Sequence, residues 1–96
     1  MPSVVITETA QDDLRRIIRE LGLPADSAGR VWEHLRPLAR FPDMGSPLSG
    51  RWSGSRFVLG PWSWMIIIYE HLRDAEVVAV TTIQDARRAA SATSGS

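Results

Sequence analysis

A chain of 96 residues holds one compact domain and leaves no room for a second. With 44% hydrophobic residues, 23% charged residues and a formal net charge of zero, it has the composition of a globular chain with its own core, without the basic excess usual in a protein built to grip nucleic acid. Cysteine is absent, which excludes disulfides and thiolate metal sites, and all 11 basic side chains are arginine.

No apolar run approaches the roughly 20 residues of a membrane helix. The opening Met1-Pro2-Ser3-Val4 has no basic stretch followed by an apolar one, so no signal peptide is expected. A cytoplasmic protein without membrane attachment fits these features. Arginine suits bidentate contact with phosphate or carboxylate, and a GC-rich coding sequence would produce the same bias.

In chain order, Val4-Val5-Ile6 is a β-branched run that predicts an edge or flanking strand. Thr7 is placed as a helix N-cap, and Ala10, Leu14, Ile17, Ile18 and Leu21 follow at helical spacing, with Gly22 as the left-handed cap. Pro24 suits the first turn of a second helix. Its apolar stripe would be Ala28, Val31, Trp32, Leu35 and Ala39, with Trp32 in the core and Pro37 ending the helix near Leu35–Arg36.

From Phe41 to Gly54 the chain is punctuated by Pro42, Gly45, Pro47, Gly50 and Gly54, and reads as a loop that pairs briefly with a sheet around Leu48. Arg56 to Leu59 predicts a strand, closed by Gly60-Pro61. Trp64 to Glu70 predicts the next, apolar on both faces and therefore central. His71 to Ala75 reads as a polar turn, and Glu76 to Ile83 as a third strand. Asp85 to Ala90 could form a short helix. The short links imply an antiparallel meander. The order β-α-α-β-β-β gives an α+β fold, a helical hairpin on a twisted antiparallel sheet. One domain is expected over residues 1–90, with 91–96 as a flexible small-residue tail.

Several of these segments resemble the RelE/ParE superfamily of bacterial toxins. Thr7-Glu8-Thr9-Ala10 with Asp13-Leu14 is similar to the family's strand–helix junction. Leu35 to Phe41-Pro42, then Gly45-Ser46-Pro47-Leu48 and Gly50, resembles the end of its second helix and the loop into the sheet. Arg56-Phe57-Val58 with Met65 to Glu70 resembles its central hairpin, and Val78-Ala79-Val80 through Ile83, Asp85 and Arg87 its last strand. The resemblance implies a toxin encoded beside a cognate antitoxin that wraps it. Most RelE-like members cleave mRNA in the ribosomal A site, whereas ParE-like members block DNA gyrase.

RNA cleavage of this kind needs cations at the phosphate and proton carriers beside it. The family commonly sets an arginine on the central strand in a Tyr-Arg or His-Arg pair. Here those positions read Trp64-Met65, and the end of the last strand reads Gln84-Asp85-Ala86-Arg87-Arg88. The resemblance therefore leaves Arg56 and Arg87 as the catalytic phosphate contacts. Arg51, Trp52, Arg88, Asp85 and His71 form a surface for RNA or for the partner, gathered with them at one end of the sheet. Equally, these arginines could keep the sheet edge soluble or pair with Asp43 and Asp85, and His71 could be a solvated turn residue.

Trp62 and Trp64 flank the hairpin tip, one packed and the other part-exposed. Trp52, in the glycine-rich loop, is the tryptophan expected at the surface as an interface anchor, and the antitoxin is expected to dock on the sheet edge and the apolar loop around Trp52, by strand addition or as a helix in a groove. No cofactor and no metal are expected, because His34 and His71 lack ligand spacing. The expected function is a toxin that inhibits translation by ribosome-dependent mRNA cleavage. The alternative is a ParE-like action on gyrase, or an inactive antitoxin-binding relic.

Overall fold

The computed structural model describes residues 1–88. Five strands form one sheet: β1 Ser3–Ile6, β2 Ser46–Pro47, β3 Arg56–Leu59, β4 Met65–Leu72 and β5 Val77–Asp85, in the order β1-β5-β4-β3-β2. Two helices, α1 Glu8–Leu21 and α2 Ser27–Leu35, pack on one face. The α+β architecture expected from the sequence is present. The sheet, however, is mixed, because β1 pairs with β5 in parallel while the other three pairings are antiparallel.

Helix α1 forms where the apolar period requires it, with Ala10, Leu14 and Ile17 buried. The hydroxyl of Thr7 accepts from the Ala10 N–H at 3.3 Å and donates to the Val80 carbonyl at 2.8 Å, so one side chain caps the helix and ties it to β5. Gly22 closes the helix at φ 60°, a conformation that costs glycine little.

The second helix begins later than Pro24 suggests. The Pro24 carbonyl accepts both the backbone N–H and the hydroxyl of Ser27, which makes residues 24–27 a turn ahead of the helix. Its buried side chains are Ser27, Val31 and Leu35, and Leu38 in the following 3₁₀ turn, Arg36–Ala39, extends the row. That stripe is rotated one residue from the expected one. Ala28 is exposed, and Trp32 stands 44% exposed on the flank of α2. The sequence periodicity is satisfied by either register here, and the sheet selects the one whose side chains fit. Pro37 ends the α-helical hydrogen bonding as expected, because it has no N–H and its ring crowds the preceding turn.

Strand β4 is the axis of the molecule. Met65, Ile66, Ile67, Ile68 and Tyr69 are all buried, and β3 and β5 pair along its two edges. Met65, Ile67 and Tyr69 face the helices and join Leu14, Ile17, Val31, Leu35, Leu38, Val78, Val80 and Ile83 in the core. The ladder with β5 slips by one residue between Ile68 and Tyr69, where Ile68 faces Thr82 and Tyr69 faces Val80. Beside this bulge the Asp13 carboxylate of α1 accepts the Ile83 N–H at 3.1 Å. His71 lies inside β4, not in the turn, which is confined to Arg73–Ala75. β5 runs through Asp85 and the chain turns at residues 86–88, where the start of a helix over Asp85–Ala90 was expected; positions 89–90 and the tail at 91–96 lie outside the described residues.

Tyr69 carries its hydroxyl through the core to the loop before β2, where it accepts the Gly45 N–H at 2.9 Å. Burial raises the Tyr69 phenol above its ordinary value, so it stays a neutral partner. A side chain at position 45 would start 2.7 Å from both the Phe57 carbonyl and the Tyr69 hydroxyl. Gly45→Ala should therefore lower unfolding stability by about 1–3 kcal/mol, from overpacking and the displaced hydrogen bond, as read from the midpoint of urea denaturation. An unchanged midpoint would show that the loop moves freely away from Tyr69.

Candidate functional site

The residues expected to form one site separate into two groups at opposite ends of β4. Arg56 pairs with Tyr69, whereas Asp85 pairs with Met65. Met65 and Tyr69 are four strand positions apart, about 13 Å at ~3.3 Å per residue. The expectation that Arg51, Arg56, Asp85, Arg87 and Arg88 gather at one end of the sheet is therefore overturned. β3 and β5 both run antiparallel to β4, so the start of β3 and the end of β5 cannot share an end.

The first group centres on Asp43, in the loop between the 3₁₀ turn and β2. One carboxylate oxygen lies 2.9 Å from His71 Nδ1 and 3.9 Å from Arg56 Nε, and the other accepts Arg73 Nη2 at 2.7 Å. Arg56 Nη1 donates to the Gly45 carbonyl at 2.8 Å and to the Asp43 carbonyl at 3.3 Å. The His71 side chain is only 13% exposed, so the solvated turn histidine is corrected to a strand residue held by a carboxylate. The His71 hydrogen bond, and then that of Arg73, hold the Asp43 carboxyl below its ordinary value. An imidazole fixed through Nδ1 presents Nε2 as its remaining proton-exchanging atom.

The second group surrounds the hairpin tip. Arg87 donates from Nε and Nη2 to the two oxygens of Asp85, at 2.9 and 2.7 Å, and its guanidinium lies 4.6 Å from the Trp64 ring centre. Trp64 stacks with Trp62 at 6.1 Å, and Trp62 carries Arg30 of α2 at 4.8 Å. Both tryptophans are half-buried against the core, where one packed and one part-exposed ring was expected. The bidentate pair holds Asp85 below and Arg87 above their ordinary values. Arg88 reaches Glu20 of α1 at 2.8 Å. Arg51 lies over Trp52 at 5.3 Å, and Trp52 is half-buried rather than the exposed anchor.

Side-chain alternation sets out what the remaining face of the sheet offers. Opposite the helices, β3 and β4 place Phe57, Leu59, Ile66 and Ile68, with Thr82 and Gln84 alongside on β5; Leu59 is exposed, Phe57, Thr82 and Gln84 are half-buried, and Ile66 and Ile68 are buried. The first titratable side chain on that face of β4 is Glu70, beyond Ile68. Over that span the face can bury apolar surface or present hydrogen bonds. It has no group to take up or deliver a proton.

Arg30, Tyr69 and Arg73 were not singled out in the sequence. Arg73 sits 30 residues from Asp43 and Arg30 sits 32 from Trp62, and neither separation has a local spacing to reveal it. Among the described residues, no group of three or more His, Cys, Asp or Glu could hold a metal ion, and no helix is long and apolar enough to cross a membrane.

The family model described as "ParE toxin of type II toxin-antitoxin system, parDE" matches residues 4–90. Among curated proteins, none matches the chain by sequence. Solved structures are similar in fold. The toxin–antitoxin complex RelBE2 of Mycobacterium tuberculosis aligns with a TM-score of 0.60 at 22% identity, covering 88% of this chain and 99% of that one. A chain of the chromosomal ParDE system of P. aeruginosa aligns at 0.68 and 15% identity, covering 88% and 96%. The isolated RelE toxin of E. coli aligns at 0.66 and 15% identity, covering 92% and 87%.

The Asp43 group has a testable acid dependence. Its folded-state pKa is lowered, so the stabilisation is present above the ordinary aspartate range and is lost as pH falls toward the lowered value. Asp43→Asn should melt at a lower temperature than the parent chain at about pH 7, with the gap closing by about pH 3. A gap that stays constant across that range would show that the carboxylate's charge contributes nothing.

Proposed function

We propose that this chain, which belongs to the ParE toxin family of type II toxin–antitoxin systems, arrests growth by binding DNA gyrase rather than by cutting mRNA. The engagement of both candidate phosphate arginines within the chain carries this reading. Cleavage of RNA needs cations and proton carriers around the scissile phosphate. On the sheet face away from the helices the central strands place apolar side chains instead, with Leu59 exposed, Phe57 half-buried, and Ile66 and Ile68 buried beneath. Such a surface suits protein binding, where apolar area and shape supply the affinity. Arg56 and Arg87, the candidate phosphate contacts, are occupied by Asp43, Gly45 and Asp85 within the chain. A neutral net charge also disfavours a nucleic-acid footprint. The matching family model points the same way, since ParE-like members act on gyrase. The toxin works in the cytoplasm, and its regulator is the cognate antitoxin.

One observation favours translation inhibition as the second reading. Arg56, His71, Asp43 and Arg73 do form a group with a guanidinium beside an oriented imidazole. It lies at the sheet's margin, and it would have to supply both proton transfers through a single histidine.

Two assays on the purified protein separate the readings. Gyrase supercoiling of relaxed plasmid should be inhibited at protein concentrations where mRNA on translating ribosomes stays uncut. Cut mRNA with unimpaired supercoiling, together with loss of cutting in His71→Gln, would replace the gyrase reading with the nuclease one.

A further inference from the structure

The tip of the β3–β4 hairpin, residues 60–64, carries a ladder of cations and rings. It runs Arg30, Trp62, Trp64, Arg87. The Arg30 guanidinium lies 4.8 Å from the Trp62 ring centre, the rings are 6.1 Å apart, and the Arg87 guanidinium lies 4.6 Å from the Trp64 ring centre. The tip is held by its own backbone. The Gly60 N–H donates to the Met65 carbonyl at 2.8 Å, the Met65 N–H to the Trp62 carbonyl at 2.9 Å, and the Ala86 N–H to the Trp64 carbonyl at 2.7 Å. A Cβ at position 60 would stand 2.6 Å from Met65 Sδ, so the turn has no slack there.

The two cations of the ladder are not equivalent. Arg87 directs Nε and Nη2 to Asp85 and is neutralised by it. Arg30 has no ion pair and no side-chain hydrogen bond among the described residues, so Trp62 covers its flat face while its N–H edge is left for a partner. Asp26 lies one turn earlier, makes no ion pair with Arg30, and its side chain does not cap the helix. Both residues line an open hollow of about 680 Å³ between α2 and Pro61, where Glu33 is already paired with Arg36. A second hollow of about 400 Å³ shares His34 with the first and runs on to Leu59 and Met44, which are both exposed. A single free guanidinium thus stands beside a shallow apolar surface.

We propose that this face is where the chain holds gyrase, and that it receives an acidic protein segment whose carboxylate pairs with the free edge of Arg30 while apolar side chains cover Leu59 and Met44. This rests on the gyrase reading above and names the surface for it. A guanidinium laid on an indole keeps its fork in place, so little freedom is lost when a carboxylate pairs with it. Arginine and tryptophan are the side chains that most often dominate protein interfaces, and the ladder sets them on a fixed frame. Arg56, Arg73, Arg87 and Arg88 each pair with a carboxylate of this chain, whereas the charge of Arg30 is open. Each ring of the ladder already has a guanidinium and the other ring against it, which leaves poor access for a stacked nucleobase and favours protein as the occupant.

The test uses the purified chain with gyrase alone for binding, and with gyrase and relaxed plasmid for supercoiling. Arg30→Glu should raise both the dissociation constant and the half-inhibiting concentration at least about tenfold, because attraction becomes repulsion, with the urea midpoint close to the parent's. Asp26→Asn removes a charge that repels the incoming carboxylate and loses no cap hydrogen bond, so it should tighten binding by about threefold. That second variant decides the matter should Arg30→Glu fail to fold. Parent-like binding and inhibition in both variants overturn the proposal and leave the gyrase reading intact. Binding that appears only when DNA is added overturns the protein contact as well. A parent chain that neither binds gyrase nor inhibits supercoiling overturns the gyrase reading, and this surface with it.

Discussion

Everything in this fold is arranged around the burial of five consecutive side chains, Met65 to Tyr69, on a strand paired along both edges. A segment so apolar must be covered, and its backbone groups must be paired, because unpaired buried amides are costly. β3 and β5 meet the second requirement. The helices meet the first on one face only, through Leu14, Ile17, Val31, Leu35 and Leu38. Once β4 is central, its length and direction determine which residues of its neighbours meet. That is why Arg56 lies beside Tyr69 and the Asp43 loop, and Asp85 beside the tryptophan tip.

Tyr69 and Asp43 then convert the irregular stretch after α2 into a defined surface. The tyrosine hydroxyl holds Gly45 from inside the core, and Asp43 is gripped from outside by His71, Arg73 and Arg56. The loop is attached by long-range hydrogen bonds rather than by regular structure. Such attachment accounts for its order without a large buried area, and it presents Phe41 and Met44 to solvent on a fixed frame. At the other end, the ring stack of Trp62 and Trp64, with Arg30 and Arg87 over its members, fastens the hairpin tip to α2 and to the end of β5. Arginine does at both ends what its planar, multiply donating head suits, pairing with carboxylate and covering aromatic rings. The all-arginine basic complement thus finds much of its use inside the chain.

Much of the fold could be read in advance because its signals are local. The Thr7 cap, the α1 stripe, the Gly22 stop, the Pro37 break and the Arg56–Leu59 strand all depend on residues within a turn or two of one another. The misreadings have a common origin. In α2, two registers of apolar residues are available, and contact with the sheet chooses Val31 and Leu35 while leaving Trp32 at the surface. His71 follows an apolar run and precedes Arg73-Asp74, so locally it resembles a turn. The ladder with β5 carries the strand on through it, with His71 opposite Val78. Of the candidate site, Arg56 and His71 come together, but the partners that define their geometry, Asp43 and Arg73, reach them only through tertiary contact.

Taken by itself, the sequence determined the element order, the centrality of the Met65–Tyr69 strand, the α+β class, and the absence of thiol chemistry. These follow from composition and short-range periodicity, which act before any chain reversal is made. Tertiary structure alone decided that β1 runs parallel to β5, that the arginines divide between two ends of the sheet, and that Arg30 of α2 lies over Trp62 of the hairpin tip. Each of those outcomes depends on which distant segments pair and in what direction. Pairing of that kind is set by the burial of the whole core rather than by any residue's neighbours in the chain.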